Sequence, residues 1–314
     1  MRVAWRSSSW RSPLTPIPTP SILAAELLKV RKRWLPYVLF LLMVLGAAIH
    51  IWPFGYAIWL DERLDPATPD FGQSALRTFA LPWSLATLLD TGQFWGAILV
   101  GILAASAVGT EHGWGTVRQA LVRGQTRSQY LMTKLLGIAV IAITSLLAAL
   151  AVGLGFSAIA TALADRPITF DVPGGPSVPE AALMVVRAGY MVLPYALLAF
   201  CLAVVGRSTT LGVVGVLLYM FVDVMLVGIL GQLGGPASLI RAFFMGHNVN
   251  ALLAANRIGT GEYNSLVPRA PPLASELPDP AVAALVLGLY CLIFLAIAFM
   301  VFQRRDLTAE ATTS

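Results

Sequence analysis

Apolar and polar positions fall along this chain in long blocks. Six apolar blocks, at 35–60, 93–109, 131–161, 181–205, 211–230 and 281–302, each approach the ~20 residues a helix needs to cross a bilayer core. Three other stretches carry their apolar residues on one side of a helix only. The first, 21–33, sets Ile22, Leu23, Leu27, Leu28 and Val30 against a basic end of Lys29, Arg31, Lys32 and Arg33. That pattern suits a helix lying in the membrane interface, with Trp34 anchoring the turn into the first span. The second lies at 109–127. The third, 237–255, carries Leu239, Ile240, Phe243, Phe244 and Leu252, and reads equally as a re-entrant cap or as an amphipathic loop on the surface. Residues 79–89 are semi-apolar but too short to cross, which predicts a segment resting on the outer surface. Residues 1–20, rich in Arg, Ser and Pro, predict a disordered tail.

Composition fixes the class. Of the 314 residues 57% are hydrophobic and 12% charged, about half the charge of an average soluble domain, and mean hydropathy is +0.77. The prediction is an all-α integral membrane protein. It has a tail at 1–20, an interfacial helix at 21–34, a six-transmembrane-helix bundle at 35–303 and a second tail at 304–314. An even number of spans puts both ends on one side. With the ends in the cytoplasm, 14 of the 21 lysines and arginines lie inside and 11 of the 16 acidic residues lie outside, as the positive-inside rule demands. The net charge of +5 therefore reflects topology, and no nucleic-acid partner is implied. Cys201 and Cys291 fall inside apolar runs and read as small buried side chains.

The segment 109–127 stands out because charge is scarce around it. Glu111, Arg118, Arg123 and Arg127 cluster between two apolar runs. Trp114, Val117, Ala120 and Leu121 fall at helical spacing, and Gly124 supplies a helix stop. Here the chain resembles a known family. Glu111, Gly113-Trp-Gly-Thr-Val-Arg118, Leu121, Gly124 and Arg127, then Lys134 and the closing Phe302–Leu307 with Arg304, Arg305 and Asp306, are similar to the permease subunits of type-2 ABC exporters. The resemblance implies that 109–127 is a cytoplasmic coupling helix contacting a separate ABC ATP-binding subunit. In the same reading Glu111, Trp114, Gly115, Thr116, Arg118, Leu121, Arg123 and Arg127 form the contact. Trp114, Val117 and Leu121 would seat the helix, while Glu111, Arg118 and Arg123 would meet the partner. The family also implies a second permease subunit, identical or not, with the pathway between the two, and a helix at 21–33 that borders the ATPase as well as membrane lipid.

The chain itself carries no motif for the chemistry. None of Lys29, Lys32 and Lys134 stands in a phosphate-binding loop, and neither a zinc-ligand spacing of His50, His112 and His247 nor a Gly-x-Ser-x-Gly turn occurs. No enzyme activity and no cofactor are expected on this chain. Two charges fall within spans, Arg187 and Asp223, at similar distances from the outer end, and their cost predicts that they pair with each other, directly or through water. The function that the family resemblance implies is an ATP-driven permease subunit, an exporter, in a bacterial plasma membrane; the charge bias predicts that both termini are cytoplasmic. The competing reading is a non-transporting polytopic protein serving signalling or assembly.

Overall fold

The computed structural model describes residues 20–62, 69–113, 115–170, 175–233, 236–256 and 277–304. The tails at 1–19 and 305–314 and the Pro-rich stretch 257–276 lie outside the described residues, as does Trp114. What is described is helical, without strands. Six helices are long and apolar enough to cross a membrane, so this is an all-α multi-pass membrane protein.

The first element is α1 (Pro20–Lys32), followed by α2 (Leu35–Ile51). Helix α2 continues through a π-helical stretch, Trp52–Ala57, into α3 (Ile58–Glu62), so one rod of 28 residues makes the first span. A short α4 (Pro69–Phe79) packs back on the π-helical stretch and on α3. Then come α5 (Ser84–Gly113), the small α6 (Thr116–Val122), and α7 (Arg127–Leu163). The chain returns through α8 (Val178–Gly206) and α9 (Thr209–Leu233), adds α10 (Pro236–Arg241) and α11 (Met245–Ala255), and closes with α12 (Pro280–Arg304). Helix starts follow their local chemistry. Thr126 Oγ1 accepts from the Gln129 amide at 3.2 Å while Gln129 Oε1 accepts from the Thr126 amide at 3.1 Å, a reciprocal cap that opens α7.

Helices α5 and α8 form the centre. In their apolar windows 67% and 61% of residues are buried, against 11–22% in the other four spans. Their contact is made by small residues, which let backbones approach where no water drives association. Ala97, Ala105, Ala188, Ala199 and Ala203 are all buried there. Helix α9 closes on the same seam at Gly212, where an added methyl would sit 2.7 Å from both Ala105 Cβ and the Ala199 carbonyl oxygen.

Two expectations fail. Residues 84–89 do not rest on the surface: they are the first turns of α5, with Leu85, Ala86, Leu88 and Leu89 buried. The polar residues of this region are satisfied internally. Ser84 Oγ pairs with Ser157 Oγ at 2.6 Å, and Thr87 Oγ1 donates to the Thr78 and Ser84 carbonyls. The break comes earlier, at the Leu81–Pro82 turn. The single helix expected at 237–255 is two, parted at residues 242–244.

Candidate functional site

The face of the bundle that carries α1 and the last turn of α12 also carries α6. Beneath α6 lies a buried ion cluster built by three helices. Lys134, near the start of α7, is 2% exposed and donates to Glu26 Oε1 of α1 and Glu111 Oε1 of α5, each at 2.6 Å. Tyr130, one turn earlier, donates to the other Glu111 oxygen at 2.9 Å and stacks on Phe302 of α12 with ring centroids 5.5 Å apart. Lys29 reaches in from the rim, 3.4 Å from Glu26 Oε2 and 3.6 Å from Glu111 Oε1. Two carboxylates face two ammonium groups, so the cluster is neutral, the condition under which buried charge is tolerable.

The cluster clamps the root of α6. The helix is entered through Gly115 (φ 66°) and left through Gly124 (φ 93°), both in the left-handed region that favours glycine. At its end the Gly124 amide donates to the Leu121 carbonyl and the Gln125 amide to the Ala120 carbonyl, the paired pattern of a Schellman stop. Val117 is buried and Leu121 half-buried against the bundle, while Arg118, Val122 and Arg123 are exposed. Thr116 Oγ1 donates to the Glu111 carbonyl, and Arg127 to the Phe302 and Gln303 carbonyls, tying the exit of α6 to α12. Gly115 is exposed.

Seven of the eight residues assigned to the contact segment are thus brought together, Trp114 being outside the described residues. One role is corrected. Glu111 does not face outward: it is 3% exposed and spent on Lys134 and Tyr130. The α5 helix runs on past the apolar block to Gly113, which turns position 111 toward α7. The outward residues are Arg118 and Arg123. Sequence reasoning also missed Glu26 and Tyr130 as parts of the site. The signal for Glu26 was its spacing, one helical turn before Val30 and one after Ile22 and Leu23, on the apolar side of α1.

Arg187 and Asp223 do not pair. Asp223 Oδ2 accepts from the Gly246 amide at 2.8 Å, and Oδ1 accepts from Tyr219 at 3.1 Å. Arg187 donates to the Ala255 carbonyl at 3.2 Å and to Asn256 Oδ1 at 3.4 Å. They therefore grip opposite ends of one helix, α11, the acid at its amino end and the base at its carboxyl end, each matched to the helix dipole. The expectation went astray because it left this intervening helix out. Arg187 is nine residues into α8 and Asp223 ten residues before the end of α9, so α11 docks roughly 15 Å below the ends of those spans. Met245, Val249 and Leu252 seat it, and Tyr290 of α12 donates to the Phe243 carbonyl beside its start.

Among the described residues no three His, Cys, Asp or Glu side chains converge as metal ligands. Cys201 and Cys291 are not bridged. A family model described as "Protein of unknown function (DUF2705)" matches residues 87–308, more than two thirds of the chain, so the chain belongs to that family. No curated protein matches it.

Proposed function

We propose that this DUF2705 protein is the permease subunit of an ATP-driven ABC exporter, with nucleotide bound on a separate subunit and the pathway formed with a second permease subunit. The observation that carries the reading is α6. A helix of two turns is seated on the bundle by Val117 and Leu121 and presents Arg118, Val122 and Arg123 outward, and its root is fixed by buried charges from three helices. A solvated loop needs no such foundation. A lever does, because a push on its tip is useful only if the root does not give.

In this reading the α6 face is cytoplasmic, in a bacterial plasma membrane, as the basic bias favours. The ATPase docks an acidic surface on Arg118 and Arg123. Its closure displaces α6, and α5 and α7, bound to each other through Lys134 and Glu111, move with it. Helix α1 follows through Glu26 and keeps its hold on lipid headgroups. The test is co-purification of the chain with an ATPase whose hydrolysis it stimulates. Recovery with no ATPase, from cells that hold the native complex, would overturn the proposal and leave an assembly or signalling role.

A further inference from the structure

On the flank of the bundle a thin slot runs between α2, α5, α7 and α8. It is narrow and open along one side. Its walls include Gly46, Leu89, Gly92, Trp95, Ala149 and Val192. No charged side chain lines it, and its polar lining residues are Thr91, held by His50 Nδ1 at 3.1 Å, and Gln93. Neighbours of the wall residues on the same helices, Leu42, Leu45, Phe94 and Leu147, are exposed, so the mouth opens on the apolar surface. By helical rise from Ser84 and Val178, the α5 and α8 walls lie roughly 6–21 Å below the face opposite α6, that is, between that surface and the bilayer midplane.

We infer that this slot is a binding site for one acyl chain of a bilayer phospholipid. The slot lies where the solvent is hydrocarbon, its lining offers dispersion contacts and no charge for a headgroup, and it is narrow. A helix of a second copy is ~10 Å wide and does not enter it, and a charged solute would lose its hydration without gaining a partner. Gly92 is part of its wall, and a methyl added there meets nothing within 4 Å, so a larger side chain has room there. The inference rests on the six-span fold alone and is independent of any ATPase partner.

The experiment uses the full chain in phosphatidylcholine vesicles containing a trace of phosphatidylcholine with a diazirine in its acyl chain. After irradiation, adducts are mapped by mass spectrometry in the wild type and in Gly92→Leu and Gly46→Ile. Adducts are expected to concentrate on the slot walls, to be lost from them in both variants, and to persist at Phe221 and Val224 on the exposed side of α9. Wall adducts no denser than those on α9, or unchanged in both variants, would overturn the inference. So would Gly92→Cys chains that cross-link to each other and exclude the label, since the slot would then be an interface between copies.

Discussion

The Lys134 ammonium stands 2.6 Å from the Glu111 carboxylate, joining the two long helices that flank α6 at a point both residues bury almost completely. Removing one partner of such a pair strands a charge out of water, at a cost of about 3–5 kcal/mol. Lys134→Met should therefore lower the thermal midpoint of the detergent-solubilised protein sharply. Adding Glu111→Gln should return part of the loss, a non-additivity that a double-mutant cycle reads directly. Strict additivity would mean that the pair does not act as a unit.

Arg118 and Arg123 are exposed on α6, and surface substitutions of this kind shift stability by roughly ±0.5 kcal/mol. The double change Arg118→Glu with Arg123→Glu should leave the unfolding midpoint in place and, on the proposed permease reading, abolish stimulation of an ATPase that co-purifies with the chain. Val117→Asp, on the buried side of the same helix, should instead destabilise the fold. Retained stimulation in the first variant would exclude the two arginines from the contact.

Because Arg187 and Asp223 each bind an end of α11, exchanging them puts the wrong sign at both ends. Arg187→Asp combined with Asp223→Arg should be less stable than either single change, where a direct ion pair would be rescued. Cysteines placed at Val249 or Leu252, buried in the wild type, should become reactive to thiol reagents in the exchanged protein. Protection equal to that of the wild type would show that α11 does not depend on its end charges.

Gly212 tests the central seam. With Ala105 and the Ala199 carbonyl 2.7 Å from where a methyl would go, Gly212→Val forces α9 off α5 and α8, and overpacking typically costs about 1–3 kcal/mol. Gly228→Val, on the same helix with nothing within 4 Å of the added methyl, should be close to neutral. Equal midpoints for the two variants would contradict the close approach.

The number and order of spans were legible because each needs a long apolar run that little else in a protein requires. Their lengths were less so: Ser84, Thr87 and Glu111 extend α5 at both ends by finding partners on α4, α7 and Lys134, and partners are not visible in a linear pattern. The same holds for the site. Val117, Leu121 and Gly124 follow from helical spacing and turn chemistry. Glu111 could not be assigned inward without knowing that Lys134 lies across from it. Arg187 and Asp223 were recognisable as charges that must be satisfied at a shared depth. That a helix would lie between them, and supply its own backbone to both, was beyond sequence spacing because the pattern of 237–255 suits a re-entrant cap and a surface loop equally.

On the proposed permease reading, the seam between α5 and α8 limits where cargo could pass. Where a conduit would need a wet lining, the axis of this bundle has alanine methyls and glycine held at close quarters. The protein is built around a keel, not a bore. A passenger crossing with its help would travel along the hull, in the gap between this subunit and whatever is moored beside it.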